Sequence, residues 1–459
     1  MAIVLVSFIV GVFVALYIYL TRNYKHWQKH GIPTIDEALP GFGHMLPVIS
    51  MKTYFGDFCR KIYDDAKSYS MVGIYDFMVP VLMIRETELI KTVLQTNFSN
   101  FSENAVFLDP KLDPLVADPF VPNNPFVLTD EKWLASRKRL TYAFSSMRLK
   151  ILLESAKKMI NGKAEFEIKS LCARYTAQVV AGAGFGVDRY CFDDSKKEIS
   201  FRKKSQAIFE PSTRHSIMFS LLFLIPSLNK IFQMSFVPKH VDHFFRTLVA
   251  DLMEQRRKDR IPRNDFLQLM AELELAEGDK FDIETLTGQS LSFIIDGYET
   301  SSIVMSFICF HLASYPKVQE KLREEVLSML NKYHGAITYE GLKEMTYMDQ
   351  ILNESLKKVP AGTIIKKRCT EEFELRGSDG LVYRIKPGME RFVYFPFGEG
   401  PRICVGMKMA QLQIKAGLTI ILRKYSMEVL PKTRLPLQLI PGAILPTVKS
   451  GLWVNFRKL

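Results

Sequence analysis

Residues 395–406 read F-P-F-G-E-G-P-R-I-C-V-G. Cys404 follows Gly398 and Gly400 and precedes Gly406, and glycines let a backbone turn tightly and approach a flat ligand closely. The next stretch, Met407–Tyr425, carries Met409, Leu412, Ala416 and Ile420 on one helical face, so the cysteine is expected at the N-terminus of a buried helix. Free backbone N–H groups and the helix dipole at such a terminus stabilise a thiolate, the form that acts as nucleophile and soft metal ligand. The same N–H donors would tune the reduction potential of a bound metal. A plain buried thiol in a glycine-rich turn looks the same locally.

A second group lies at 296–302, D-G-Y-E-T-S-S, inside a long apolar run. Thr300 can bond back to the carbonyl of Asp296, four residues earlier, and open the helix locally. Glu299 beside it could carry protons. Trp133 and Arg137 are four apart on one helical face, and a guanidinium suits a carboxylate partner. Glu354 and Lys357 form a charged pair in E-S-L-K, with a further charge set at Glu390-Arg391-Phe392. Taken singly, each of these is common on ordinary helices.

Together they carry more. The spacing F-x-x-G-x-R-x-C-x-G is met by Phe397, Gly400, Arg402, Cys404 and Gly406. It resembles the signature loop of the cytochrome P450 superfamily of haem-thiolate monooxygenases. The resemblance implies haem b (iron protoporphyrin IX) with Cys404 as axial ligand, Arg402 beside a haem propionate and Phe397 against the proximal face. It sets Trp133 and Arg137 on the propionates, and makes Thr300 and Glu299 the catalytic pair that protonates dioxygen. Glu354, Lys357 and Arg391 would form the structural core set. A thiolate ligand supplies electron density that favours O–O cleavage. Further similar segments are Leu171–Thr176, Gly184–Gly186, Lys321–Glu325, Ile337–Tyr339 and Met345–Glu354.

The likeness covers essentially everything after residue 21 and is greatest to microsomal insect-type members, which act on foreign compounds and hormones. Its implied fold is mainly α with small β-sheets, a long central helix over the haem and an N-terminal membrane anchor. Its implied reaction inserts one oxygen atom from O2 into small lipophilic substrates with NADPH-derived electrons. The implied partners are an NADPH-dependent flavoprotein reductase and cytochrome b5, docking on basic residues such as Arg137, Lys138, Arg139 and Lys408. The substrate pocket would draw on residues 104–126, 209–236, 293–300 and 443–445.

Three departures stand against the family pattern. Asp296 replaces a small residue, and a carboxylate there would hydrate the pocket or repel anionic substrates. Lys357 replaces an arginine, and an ammonium cannot make the planar two-pronged contact. After Lys386-Pro387-Gly388 the chain passes at once to Met389-Glu390-Arg391-Phe392, with Cys404 thirteen residues after Arg391. Several tens of residues expected near 388–392 are absent, and 146–165 is also short. The alternatives are therefore a mis-spliced or decayed member with weak or absent haem binding and no turnover, and a reductase-independent isomerase or dehydratase. The pair Thr300 and Glu299 speaks against the last.

The elements that must position these residues follow from pattern. Asp282–Tyr315 holds 34 residues without proline, about 50 Å if helical, and must cross a core. Pro316 opens a helix with Val318, Leu322, Val326 and Leu330 at spacings of four. Short apolar strands are expected at Met71–Tyr75, Val81–Ile84, Phe373–Leu375 and Leu381–Ile385, with a terminal hairpin within Ile440–Phe456. Ala2–Leu20 is uncharged, spans roughly 28 Å as a helix and is followed by Arg22, Lys25 and Lys29. This pattern predicts an uncleaved anchor in the endoplasmic reticulum membrane with the catalytic body on the cytosolic face. The expected division is anchor 1–21, linker 22–45 and haem domain 46–459, with Tyr17, Tyr19 and Trp27 at the membrane interface. The formal charge of +12 in 459 residues is read as solvated helix faces and a docking patch, so no nucleic-acid partner is expected. Six scattered cysteines without a C-x-x-C pair suit a reducing compartment.

Overall fold

The structure is a computed structural model. It describes residues 1–35, 38–105, 124–145, 149–157, 164–187, 190–193, 195, 201–209, 237–259, 261, 263, 265–277, 283–362, 364–393, 397–443 and 445–459. Most of the expected substrate-pocket segments 104–126 and 209–236 lie outside the described residues, as does much of 146–165. The mainly helical fold with small sheets is borne out, and the chain forms two compact units.

The first unit is described by residues within 1–105 and 364–403. Its helix Ala2–Thr21 contains no buried residue, as expected of a segment whose apolar surface has no protein to cover it. Its sheet has five strands in the order Met71–Asp76, Val79–Ile84, Glu390–Val393, Ile365–Arg368 and Glu103–Asn104. Met71–Asp76 is buried along its whole length and pairs antiparallel with Val79–Ile84, Met71 opposite Ile84. Glu390–Val393 runs parallel to Val79–Ile84 and antiparallel to Ile365–Arg368, with Arg391 opposite both Leu82 and Lys367. A separate hairpin joins Phe373–Arg376 to Val382–Ile385.

Trp27 departs from its expected place. It is wholly buried, its indole N–H donating to the Ile74 carbonyl at 2.9 Å. A Cβ on Gly73 would lie 2.3 Å from the indole, so only glycine admits the ring. The stretch after the first helix is thus part of this unit's core, with Ile32 and Met45 also buried.

The second unit is described by residues within 124–209, 237–362 and 404–459. Its centre is the helix Ile283–Ser314. This helix is apolar and long enough to cross a membrane, but its apolar part is 83% buried inside the protein, which makes it a core helix. The helix Ile168–Phe185 packs along it. Gly184 lets the Phe293 ring approach to where a Cβ would stand 2.9 Å away, and Val180 faces Gly297. A three-stranded sheet places Trp453–Lys458 between Glu165–Glu167 and Tyr425–Val429. The expected terminal hairpin is reduced to a bridge between Leu439 and Val448, and Trp453–Lys458 pairs elsewhere.

Candidate active site

The helix Met407–Leu422 carries the cysteine loop at its N-terminus. It is shorter than the expected 407–425 because Tyr425 begins a strand. Three contacts hold the helix. Gly417 meets Met305 of the long helix and Tyr175, where a Cβ would lie 2.5 and 3.0 Å away. The Tyr175 hydroxyl donates to the Gln413 carbonyl at 2.8 Å. Buried Lys415 bonds Asp349 at 2.7 Å and the Leu342 carbonyl at 2.9 Å. At the C-terminal end, buried Arg323 donates to the carbonyls of Leu422 and Tyr425, a cation on the negative end of the dipole. The helix that follows Cys404 is therefore fixed through its middle and at its C-terminal end.

Along the long helix, every residue from Leu286 to Phe310 is buried except Asp296, Gly297 and Thr300. These three share one stripe, since four residues make about one turn. Asp296 and Cys404 are each surrounded by protein on most sides, yet each presents surface to a solvent-sized space. Both statements hold if that space is an internal cavity. Asp296 and Arg137 both act electrostatically on the Cys404 thiol, so the three groups lie near one another.

The electrostatics pull in opposite directions. Burial pushes the Cys404 thiol up; the Gly406 N–H pulls it down, the Asp296 carboxylate pushes it up, and Arg137 and the Met407 N–H pull it down. The N-terminal N–H groups thus act as expected but do not outweigh burial. Burial lowers the Arg137 pKa, and Cys404 opposes that shift. Burial pushes the Asp296 carboxyl up to about 7, opposed by a side-chain hydrogen bond from Asn124. The Asn124 Oδ1 already accepts from the Phe126 N–H at 2.7 Å, which leaves its NH2 for the carboxylate.

Thr300 Oγ1 donates to the Asp296 carbonyl at 2.5 Å. Glu299 is buried and turned away from the open stripe. It forms an ion pair with Lys169, at the second position of the Ile168–Phe185 helix, and receives the Ser302 hydroxyl at 3.4 Å. Neither Lys169 nor Asn124 was anticipated from sequence. Lys169 lies 130 residues from Glu299, and no local pattern announces such a pair. Trp133 and Arg137 are half-buried on the helix Asp130–Ser145.

The boundary between the units falls between Ile403 and Cys404, so the rest of the loop belongs to the first unit. There Gly400 has φ +69, and a Cβ would lie 1.9 Å from the Leu94 carbonyl oxygen. Arg402 Nε donates to the Ser102 carbonyl at 2.6 Å. Phe397 is half-buried in the turn before Gly398. The buried Lys367 ammonium donates to Asn104 Oδ1 at 3.0 Å. Its pKa falls to about 7 through burial first and Arg402 second, with Glu103 opposing.

Glu354 and Lys357 lie 3.8 Å apart at the surface, 59% and 77% exposed. They do not form a buried core pair. Arg391 has its backbone in the five-stranded sheet, and its side chain lies outside the described residues.

The donor set fits an iron porphyrin. One exposed thiol meets two backbone N–H groups, a metal cation would remove its proton, and Arg137 supplies positive charge for a carboxylate. Among the described residues no group of three or more His, Cys, Asp and Glu is placed to hold a bare metal ion.

A family model described as Cytochrome P450 matches the chain in two stretches, residues 33–390 and 384–453. Cytochrome P450 6j1 of Blattella germanica is 28% identical over 487 residues, covering 97% of this chain and 96% of that one. The probable cytochrome P450 6a14 of Drosophila melanogaster is 28% identical over 518 residues, covering 100% and 99%. The probable cytochrome P450 28d1 of the same fly is 29% identical over 506 residues, covering 98% of each. These alignments run longer than the 459 residues of this chain, so the relatives hold residues that it lacks.

Proposed function

The chain belongs to the cytochrome P450 family of haem monooxygenases, and from that premise we propose that it inserts one oxygen atom from O2 into small lipophilic substrates with NADPH-derived electrons. The observation that carries the proposal is the pair of open positions, Cys404 at a helix N-terminus and Thr300 on the long helix, at groups that share Asp296 as a neighbour. Haem b bound at Cys404 would supply the activation of dioxygen. Gly406 and Met407 hold the sulfur's charge through their N–H groups, and Arg137 and Trp133 would receive the propionates. Phe397 and Gly400 shape the loop. Thr300 holds a hydroxyl proton at the cavity wall. Glu299, next to it, leads through Lys169 toward solvent, because Lys169 is the more exposed partner.

We further propose that Ala2–Thr21 anchors the protein in the endoplasmic reticulum membrane, with the body on the cytosolic face. Electrons would come from an NADPH-dependent flavoprotein reductase, with cytochrome b5 as second donor, at the exposed Lys138 and Lys408.

A second reading is a member that keeps the fold without turnover. It is favoured by the surface position of Glu354 and Lys357 and by the family match breaking into two stretches that meet at 384–390. We read both as the loss of the segment that normally follows residue 388.

The two readings part in one experiment. Full-length protein is expressed, its haem quantified, and a carbon monoxide difference spectrum of the reduced form recorded, with Cys404→Ser alongside. A thiolate-type Soret band lost in C404S, and NADPH consumption with added reductase, support the monooxygenase. Absence of porphyrin, or a spectrum unchanged in C404S, refutes it.

A further inference from the structure

Asp296 is a carboxylate on the only open stripe of an otherwise buried stretch of helix. Holding a charged carboxylate away from bulk water is costly unless a partner compensates it. Among the described residues, the group that offsets burial at Asp296 is the neutral amide of Asn124. Arg137, a nearby cation, favours charge on the Cys404 sulfur. Asn124 is itself held, its Oδ1 accepting the Phe126 N–H and its carbonyl the N–H of Leu128. Among the described residues the carboxylate is therefore oriented and supported but not neutralised. Gly297 beside it adds no side chain to the stripe, and Thr300 stands one turn farther on.

We propose that Asp296 selects lipophilic amines, its carboxylate pairing with the ligand's ammonium while the apolar body of the ligand extends toward Thr300. This deepens the monooxygenase reading and rests on it for the identity of the cavity as a substrate site. It names a charge class within the lipophilic substrates. A cation supplies what the Asn124 amide cannot, and the enclosed setting strengthens the attraction relative to water.

The probe is a phenylalkyl-trimethylammonium ion, which cannot lose its charge or bind a metal through nitrogen. It is compared with its neutral tert-butyl isostere and with a phenylalkyl carboxylate of equal length. Binding to full-length protein in detergent is measured by titration calorimetry for wild type, Asp296→Asn and Asp296→Glu. Wild type is expected to bind the ammonium roughly tenfold tighter than the neutral isostere, about 1.4 kcal/mol, and the carboxylate more weakly than either. D296N should bring the ammonium-to-neutral ratio close to one while moving the neutral probe less than about twofold, and D296E should restore most of the preference. Equal binding of the two probes by wild type, binding of neither, or a preference that survives D296N overturns the proposal. The carbon monoxide spectrum of the same preparations tests the haem reading separately. A spectrum without the thiolate band defeats that reading, whereas calorimetry alone decides the charge preference.

Discussion

Replacing Lys169 with methionine keeps the length of the side chain and removes its charge. Glu299 would then sit in the core with the Ser302 hydroxyl 3.4 Å away and no cation beside it among the described ion pairs. Breaking a buried ion pair by deleting one partner costs about 3–5 kcal/mol. Glu299 is 5% exposed and Lys169 24%, so water already screens one side of the pair, and about 2–3 kcal/mol is the expected loss. A lysine in the first turn of a helix opposes the dipole by roughly 0.3 kcal/mol or more, which trims the figure slightly. Urea unfolding followed by circular dichroism gives the readout. Midpoints are compared among K169M, Glu299→Gln and the double variant, because a chain of this size need not unfold in one step. Adding E299Q to K169M should recover at least half the loss, since the stranded charge is gone. An unshifted K169M midpoint, or losses that simply add in the double variant, would refute the argument that the pair exists to satisfy Glu299.

Other perturbations have equally definite outcomes. Lys367 holds its proton in the unfolded chain to about pH 10.4 but releases it near 7 when folded. Between those values the unfolded state binds more protons, so this group makes stability rise with pH. Thermal melts at pH 6 and 9 should show Lys367→Met gaining on wild type more at pH 6, and an equal gain at both would sink the assignment. Gly400→Ala must displace the loop from Leu94, whereas Gly335→Ala carries positive φ in open space. The first should therefore cost well over the roughly 1 kcal/mol of backbone strain and deplete haem after gel filtration, and the second should cost only the strain. Lys357→Ala should change stability by less than about 0.5 kcal/mol, because its pair is exposed at 3.8 Å; a large loss would show that the pair is covered in solution.

The long helix was legible because its signal is local: an apolar run without proline, ending at Ser314 within one residue of the expected Tyr315. The position of Cys404 just before a helix was legible for the same reason, its glycines and the helix after it lying within one short segment. Failures came where distant segments decide. Tyr425 leaves its helix to pair with Lys458, a partner that periodicity does not contain. Glu390–Val393 carries charges that hide a strand whose neighbour Val79–Ile84 lies some three hundred residues earlier. Lys169 and Asn124 are unremarkable until folding brings them to Glu299 and Asp296.

The seating of Trp27 against Gly73 fixes how this body is leashed. If Ala2–Thr21 crosses a bilayer, only the stretch from Arg22 to His26 separates the lipid from a ring plugged into the sheet. So short a tether leaves the body little room to swing away from the headgroups and keeps its approach to lipid-dissolved molecules close. It also sets the cut for a soluble preparation. Deletion through Tyr19 removes exposed residues alone, whereas deletion through His30 pulls the plug, at about 3–5 kcal/mol for a buried tryptophan, and is expected to leave a melted first unit.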